Sequence, residues 1–175
     1  MHLRIATRND IPAIEALMAD SMAALLPRFL NEKQVARSSE SMGLDTLLID
    51  DGTYFLVYID DVLVGCGGWS RRKTLFGGNH TSGRDDAMAE PGVDAAKIRA
   101  MYTHPGYTRR GIGRFLIEAG EAAAKAEGFK SMELGSTAPG QPLYEACGYR
   151  LLEDLSRPSE DGTIVPVLRM QKDLL

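Results

Sequence analysis

The sequence predicts an α/β (α+β) fold, in which a mixed, mostly antiparallel sheet of about seven strands is flanked by helices. One observation is that runs rich in β-branched and aromatic residues alternate with segments of helical periodicity. A second is that two apolar strands, Ala96–Thr103 and Ser131–Ser136, flank one long amphipathic helix, which predicts a right-handed parallel βαβ unit. The length of 175 residues is that of one domain, residues 1–175.

The first half of the chain contains predicted strands and helices in the order β-α-α-β-β. A strand over Leu3–Ala6 precedes a helix that begins at Asp10 and carries apolar residues at helical spacing. A second helix is expected over about Asn31–Met42. The run TYFLVYIDDVLVGCGGWS predicts a hairpin with a tight polar turn at Asp60-Asp61.

The second half begins with a segment of a different kind, residues 77–92. This stretch, GGNHTSGRDDAMAEPG, is glycine-rich and lacks periodicity, so we expect a flexible surface loop inserted between strands. The remaining predicted elements are, in order, the strand Ala96–Thr103, a helix over about Gly111–Glu127, the strand Ser131–Ser136, a short helix over Pro142–Cys147, and a final hairpin of Arg150–Leu155 and Thr163–Lys172.

Composition narrows the function classes. Hydrophobic residues make up 44% and charged residues 25%, as in ordinary globular proteins, and a net charge of −4 argues against nucleic acid as the main partner. There is no apolar run of membrane-spanning length and no leader pattern at the N-terminus. Two cysteines, Cys66 and Cys147, form no disulfide framework, which favours a cytoplasmic protein, and the three histidines show no metal-ligand spacing, so no metal is predicted.

A cluster of cations stands at the start of the long predicted helix, in YTRRGIGRFL over 107–116. Arg109, Arg110 and Arg114 occur there, and the first acidic residue is Glu118. The helix macrodipole places partial positive charge at this end, so arginines are unfavourable unless an anion offsets them. Glycines in the turn let an anion approach the free backbone N–H groups. The segment therefore predicts an anion site; the alternative is a tight turn with solvated arginines.

Two familiar phosphate-binding patterns fit this turn poorly. Gly106 and Gly111 have the spacing of a P-loop, but Ile112-Gly113 stands where Lys-Ser/Thr is required. A dinucleotide turn requires a third small residue where Leu116 stands, although Glu133 lies at about the spacing of the ribose contact. A nucleotide-binding oxidoreductase is therefore a weaker alternative.

A third pattern, R/Q-x-x-G-x-G/A, belongs to the acetyl-CoA turn of the GNAT (GCN5-related) N-acetyltransferases. The segment THPGYTRRGIGRFLIEAGEAAAKAEGF resembles that family's strand, turn and helix, with Thr108 at the R/Q position. STAPGQPLYEACGYR is similar to its second signature, LRIATRNDIPAI to its opening strand and helix, VYIDDVLVGCGGWS to its central hairpin, and VPVLRMQKDL to its closing strand. The resemblance covers nearly the whole chain except residues 77–92.

This resemblance implies a cofactor, acetyl-CoA or coenzyme A, with its pyrophosphate on the backbone N–H groups from Arg109 to Arg114. It also implies that the central strand splays from its parallel neighbour and that the cofactor lies in the gap. The implied cofactor-binding residues are Met101, Tyr102, Thr103, Thr108, Arg109, Arg110, Gly111, Ile112, Gly113, Arg114, Ser136 and Tyr144.

The resemblance further implies direct acetyl transfer to a primary amine, in one step. Tyr144 aligns with the family's general acid, which protonates the departing thiolate; the alternative is a tyrosine that only packs on the sheet. A backbone N–H near Met101 would stabilise negative charge on the thioester oxygen. The general base is open: Glu133, Asp85, Asp86 and water are the candidates.

Other residues carry weaker hypotheses. Cys147 could be an acyl-accepting nucleophile, but an inert thiol is favoured, as for Cys66. His104 is expected to end a strand before Pro105, with a proton relay as the alternative. Trp69 and Tyr102 are candidates for a substrate pocket or the core.

The predicted acceptor is a small-molecule or peptide amine, with no nucleic acid and no membrane as partner. Arg71-Arg72-Lys73 could attract an acidic substrate or the cofactor's 3′-phosphate, although a solvated strand end is favoured. Asp85, Asp86, Glu90 and Asp94 could steer a cationic amine, although a mobile surface insertion is favoured. A homodimer through the last strands is consistent with the family. A non-catalytic CoA-binding regulatory module on the same fold is the alternative function.

Overall fold

A computed structural model describes residues 1–175 as one seven-stranded sheet with helices on both faces. The strands are β1 (His2–Ile5), β2 (Tyr54–Ile59), β3 (Val62–Ser70), β4 (Ala96–Thr103), β5 (Ser131–Ser136), β6 (Arg150–Asp154) and β7 (Leu168–Asp173). The α-helices are α1 (Ile11–Leu25), α2 (Glu32–Ser38), α3 (Thr46–Asp50), α4 (Ile112–Ala126) and α5 (Gln141–Ala146).

The sheet order is β1-β2-β3-β4-β5-β7-β6, and only β4 and β5 run parallel. The predicted mixed, mostly antiparallel sheet with one parallel βαβ unit is therefore confirmed. No helix is long and apolar enough to cross a membrane.

Helix α4 covers one face of the sheet because its apolar residues recur on one side. Ile112, Leu116 and Ile117 are fully buried there, each contributing about 1.5–3 kcal/mol by removal from water. Gly120 lets the helix approach β4, since a Cβ at this position would lie 3.0 Å from Ile98 Cδ1. The helix ends before Gly128, whose φ of +91° is the left-handed conformation that favours glycine.

Helices α1 and α3 cover the opposite face. Ile14, Leu17 and Met18 of α1 pack with Leu48 and Ile49 of α3 in a second apolar cluster. The sequence predicted no helix at α3, which has only five residues and no apolar period. Its start is fixed by a cap, in which the Asp45 carboxylate accepts a hydrogen bond from Leu47 N at 3.0 Å.

Strands β4 and β5 separate soon after they begin. Their registered pairs are Ala96 with Met132 and Lys97 with Glu133, and none follows toward Thr103. On its other side β4 has a bulge: Cys66 pairs with Tyr102 and Gly68 with Arg99, so β4 has one extra residue. Ala100 lies in this bulge with a φ of +51°. The β4–β5 gap, which reaches from Ile98 to Thr103, positions the candidate site.

Two other boundaries differ from the sequence prediction. The second helix is shorter than expected, Glu32–Ser38, and the last strand begins at Leu168 rather than Thr163. Pro166 explains the second difference, because it lacks the N–H that a ladder requires.

The segment over 77–92 folds back on the preceding residues. Ala87 O accepts a hydrogen bond from Lys73 N at 2.9 Å, and Ala89 N donates to Arg71 O at 2.8 Å. Arg84 Nη1 donates to Gly78 O at 2.8 Å within the segment. The predicted surface loop thus has hydrogen bonds at both ends.

Candidate active site

Three neighbouring cavities lie along the β4–β5 gap and the turn before α4. The first, of about 520 Å³, lies beside the arginine-glycine turn and is called here the turn cavity. The central cavity, of about 150 Å³, shares Thr103, Gly113 and Leu143 with it. The distal cavity, of about 70 Å³, shares Met101, Tyr102 and Tyr144 with the central one. Because each shares lining residues with the next, the three adjoining cavities are together called here the path.

The turn before α4 leaves backbone donors free. Arg109 and Gly111 both have positive φ, +63° and +81°, and no side chain caps the helix. The N–H groups of Ile112, Gly113 and Arg114 therefore have no helical acceptor, as at any helix start. The turn cavity lies at this uncapped end, a geometry suited to an anion.

The arginines at this turn form no ion pair within the protein. The Arg110 guanidinium lies over the Tyr107 ring at 4.8 Å from its centroid, and Arg114 Nη2 donates to Ala146 O at 3.1 Å. Arg28, which the sequence analysis did not single out, also lines the turn cavity beside Arg109. Unpaired cations around free N–H groups make this cavity electropositive.

The glycines of the turn have different surroundings. A Cβ at Gly111 would meet no atom within 4 Å and would project into open space, whereas one at Gly113 would lie 2.5 Å from Leu143 Cδ2. Gly113 therefore allows α5 to pack closely on α4. Thr108 lines the turn cavity, and Ile112 lines it while contributing to the core.

The β4 residues predicted to hold a cofactor line the path. Met101, Tyr102 and Thr103 all border the central cavity. The Tyr102 hydroxyl accepts a hydrogen bond from Gly43 N at 3.1 Å, and burial raises the pKa of Tyr102 to about 12. Ser136 does not line any of the three cavities: it is fully buried and its Oγ donates to Thr137 O at 2.9 Å. Thr137 lines the central and distal cavities instead.

Tyr144 lies where the central and distal cavities meet. Its side chain is 7% exposed, and its ring packs edge-on against Tyr149 at 6.0 Å between centroids. The hydroxyl has no hydrogen-bond partner in the protein. Every fully buried polar side-chain atom does have one, so this hydroxyl is not fully buried and faces the cavity that Tyr144 lines. Burial raises the pKa of Tyr144 well above its usual range, which keeps the phenol protonated.

The three carboxylates proposed as general base are all engaged elsewhere. Arg169 Nη2 donates to both oxygens of Glu133, at 2.9 and 3.1 Å, at the closed end of the β4–β5 pair. Asp86 Oδ1 accepts from Arg84 Nη2 at 2.9 Å. Asp85 is exposed and accepts from Ala87 N at 3.0 Å. None of them lines the three cavities.

The cationic run at the end of β3 is paired rather than free to attract a substrate. Arg71 binds Glu127 through two hydrogen bonds of 2.5 and 2.9 Å. Arg72 binds Asp51 in the same manner at 2.7 and 2.8 Å. Lys73 Nζ lies 3.7 Å from Asp94 Oδ2. This ion pair also engages Asp94, one of the acidic residues considered for steering a cationic amine.

The remaining candidate residues pack in the core or cap a turn, and none of them faces the path. Trp69 does not line the path, because it is buried in the core against Phe129. His104 Nδ1 accepts from Gly106 N at 3.0 Å and so caps the turn after β4. Cys66 and Cys147 are free and buried, and burial raises the pKa of both thiols, that of Cys66 to about 12.

Sequence reasoning missed the contribution of α1 and the segment after it. Ser21, Met22 and Leu25 of α1 line the central cavity, and Arg28 and Phe29 line the turn cavity. In the sequence, Ser21, Met22 and Leu25 are ordinary helix residues, and Arg28 and Phe29 lie in the turn that follows. Only the packing of α1 against β3 and β4 brings them to the path.

The fold is that of the N-acetyltransferases. A GCN5-related N-acetyltransferase from Rhodopseudomonas palustris superposes with a TM-score of 0.70 at 19% identity, over 99% of this chain and 95% of that one. The Salmonella typhimurium protein yncA, solved with its cofactor acetyl-CoA, gives 0.63 at 17%, over 100% and 94%. The paia N-acetyltransferase from Thermoplasma acidophilum, in complex with coenzyme A, gives 0.61 at 14%, over 98% of both chains.

The family follows from the sequence profile. The profile of the acetyltransferase (GNAT) family matches residues 18–149, three quarters of the chain. The protein therefore belongs to the GNAT acetyltransferase family. None of the curated proteins compared with the chain is a match at the level of sequence.

Proposed function

We propose that this protein transfers an acetyl group from acetyl-CoA to the primary amine of a small molecule or peptide. The observation that carries the proposal is the row of adjoining cavities along the β4–β5 gap, which has an uncapped helix start at one end and a buried tyrosine in the middle. Acetyl-CoA would supply an acetyl group activated as a thioester.

The turn cavity suits the phosphate groups of this cofactor. Its free N–H groups at Ile112, Gly113 and Arg114 are donors for a pyrophosphate, and Arg28, Arg109 and Arg110 add positive charge nearby. The extended arm of the cofactor would then follow Thr103 and Met101 of β4, whose side toward β5 has no registered strand partner.

Tyr144 has the properties required of the general acid. Its hydroxyl is unpartnered and faces the path, and its raised pKa retains the proton until a stronger base arrives. A phenol can then give its proton to a departing thiolate. A backbone N–H at the β4 bulge near Met101 would hold negative charge at the acyl oxygen. Because no carboxylate lines the path, water is the base that we propose for the acceptor amine.

Calorimetric titration of acetyl-CoA, with CoA, NADPH and ATP as comparison ligands, tests the cofactor site. We expect selective binding of the two CoA compounds to the wild type and loss of that binding in Gly111→Leu, because the side chain would fill the turn cavity. Gly128→Leu is the matched control: it has a similar positive φ, +91°, at the other end of α4, outside all three cavities.

Each result has a definite meaning. Equal loss of binding in both variants would indicate a general folding defect, and no CoA binding by the wild type would contradict the proposal. Binding without turnover of any amine would favour a non-catalytic CoA-binding module instead.

Association into a homodimer and a cytoplasmic location stay predictions. β6 is the edge strand of the sheet, and all five of its residues are exposed, including Leu151 and Leu152. Light scattering of the purified protein measures its oligomeric state directly.

A further inference from the structure

The distal cavity is the part of the path farthest from the turn cavity, with which it shares no lining residue, so it is the side from which an acceptor would reach Tyr144. Fourteen residues line it, and Arg99 is the only charged one among them. No aspartate or glutamate lines it. A cationic group would therefore find no opposite charge in this cavity, whereas an anion would find one.

Arg99 is held rigidly but retains donors that nothing in the protein uses. Its Nη2 donates to Asp45 Oδ2 at 3.0 Å and to Gly77 O at 2.6 Å, and its Nη1 donates to Thr74 O at 3.4 Å. The Nε of Arg99 has no hydrogen-bond partner. Every fully buried polar side-chain atom does have one, so Nε is not fully buried, and this donor reaches the cavity that Arg99 lines. The guanidinium is thus fixed in place with an N–H group available for a ligand.

The charges around Arg99 leave the buried part of this region positive. Asp45 Oδ2 is shared between Arg99 at 3.0 Å and Arg84 at 2.8 Å, so the buried Arg99 and the partly buried Arg84, whose side chain is 11% exposed, share one buried carboxylate. Asp86 also pairs with Arg84, but its side chain is 46% exposed and is screened by solvent. Burial lowers the pKa of Arg99, the direction expected when a cation's partners do not fully offset its loss of hydration.

The spacing along β4 limits the size of the ligand. Arg99 and Met101 are separated only by the bulge residue Ala100, so their Cα atoms lie at most about 7 Å apart, and both residues line the distal cavity with Tyr144. A carboxylate at Arg99 and an amine near Met101 would therefore belong to one small molecule with only a few bonds between the two groups.

Resting on the function proposed above, we infer that the acceptor is a free amino acid, whose carboxylate is bound by Arg99 while its amine points toward Met101 and Tyr144. The transfer would form an amide bond at the amine nitrogen and break the thioester bond, the amine giving up a proton and the thiolate taking one, so that no further reactant is needed. A protein N-terminus is disfavoured, because it has no free carboxylate near its amine.

Matched pairs of acceptors test this inference. The common α-amino acids and short β- and γ-amino acids are each compared with the corresponding carboxamide, which has the same amine without the negative charge. Release of the CoA thiol from acetyl-CoA gives kcat and KM. We expect at least one amino acid to exceed its carboxamide about tenfold or more in kcat/KM, because the uncharged carboxamide cannot form the charge-assisted hydrogen bond that a carboxylate forms with the guanidinium.

Variants of the two arginines that share Asp45 separate recognition from folding. Arg99→Gln should reduce the preference to near unity, mainly through KM, and Arg99→Lys, which keeps a charge beside Asp45, provides a second variant if the first does not fold. Arg84→Gln is the control, since Arg84 binds the same carboxylate but does not line the distal cavity. It should keep the preference of the wild type.

The outcomes are distinct from those that test the proposed function. A wild type that binds acetyl-CoA but acetylates carboxamides as well as amino acids, or acetylates neither, overturns the inference and leaves the CoA site standing. A preference that disappears equally in the Arg99 and Arg84 variants also overturns it, because both changes would then act through folding. Absence of acetyl-CoA binding contradicts the proposed function itself.

Discussion

Gly67 and Met101 face each other across the β3–β4 pair with no room for a side chain at position 67. A Cβ there would overlap the sulfur of Met101 and lie 3.2 Å from its Cα. The contact lies at the bulge that contains Ala100, so the glycine in β3 permits the irregular backbone of β4 beside the proposed acyl site.

We expect Gly67→Ala to destabilise the fold by about 1–3 kcal/mol, as overpacking does, and to lower kcat/KM by displacing Met101. Chemical denaturation measures the first effect. Because most of the overlap involves the methionine side chain, adding Met101→Ala should recover part of the lost stability. A double variant no more stable than Gly67→Ala alone would show that the backbone contact dominates.

Tyr144→Phe should lower kcat about 100-fold or more without weakening acetyl-CoA binding, because only the proton donor is removed. Tyr149→Phe is the matched control: its ring contacts Tyr144, but its hydroxyl is bonded to Glu121 at 2.9 Å and lines none of the three cavities. It should lose stability and keep kcat. Unchanged kcat in Tyr144→Phe would remove this residue from the mechanism.

The raised pKa of Tyr144 also has a consequence for alkaline stability. The buried phenol remains protonated in the folded chain at pH values where an unfolded tyrosine, with a pKa of about 10, ionises. The contribution of this phenol to the free energy of unfolding is therefore fully present below about pH 10 and is lost as the pH rises above that value. Tyr144→Phe should reduce the slope of unfolding free energy against pH in that range.

The buried Asp45 should be one of the most sensitive polar positions. Asp45→Asn leaves Arg84 and Arg99 without their shared carboxylate and should destabilise the protein by about 3–5 kcal/mol. Asp50→Asn removes an exposed pair with Arg8 and should have only a small effect. Urea denaturation compares the two, and similar losses would contradict the assigned role of burial.

Acid stability should depend on Asp10. The bidentate Arg4 guanidinium, at 2.7 and 2.9 Å, and Thr7 lower the pKa of this carboxyl well below its usual range. A lowered pKa contributes stability above the unfolded value of about 4, and this is lost as the pH falls toward the folded value. Asp10→Asn should therefore destabilise the protein at pH 7 and flatten the decline below pH 4. Asp20→Asn is the control: this exposed carboxylate has no ion pair, so its loss should leave the stability at pH 7 nearly unchanged.

Both cysteines should be unreactive in the native protein. Burial raises the pKa of each thiol, so the nucleophilic thiolate is scarce at neutral pH. A thiol reagent should label neither residue quickly until the protein is unfolded, and Cys147→Ala should keep its kcat. Loss of activity in that variant, with normal stability, would instead support an acyl-cysteine intermediate.

Local patterns were sufficient for most of the fold. The β4-α4-β5 unit was predictable because strand composition, the glycine turn and the apolar face of α4 agree with one another. Helix α3 was not predictable, since five residues held by one capping aspartate show no period. The start of β7 was not predictable from composition, because the β-rich residues around Pro166 favour a strand that the missing N–H of this proline prevents.

The residues of the candidate site that lie in one continuous segment were predictable from the sequence, whereas contacts between distant segments were not. The turn residues and Tyr144 have a local signature, and all but Arg110 and Ser136 of the predicted cofactor residues line the path. The pairing of Arg71 with Glu127 and of Arg72 with Asp51 joins residues far apart in sequence. Such pairings decide whether a charge is free for a ligand, and no local pattern contains them.

The β4–β5 gap leaves the middle of the sheet with few hydrogen bonds between strands. With two registered pairs across the gap, strands β1–β4 and strands β5–β7–β6 form two parts of the sheet that pair directly with each other only at Ala96–Met132 and Lys97–Glu133. A molecule that lies in the gap would bind to the open side of β4 in the way that a further strand does, and the sheet would lose it when the molecule dissociates. Amide hydrogens of Arg99–Thr103 should therefore exchange with solvent faster than those of β3 in the free protein and slow down when CoA is added.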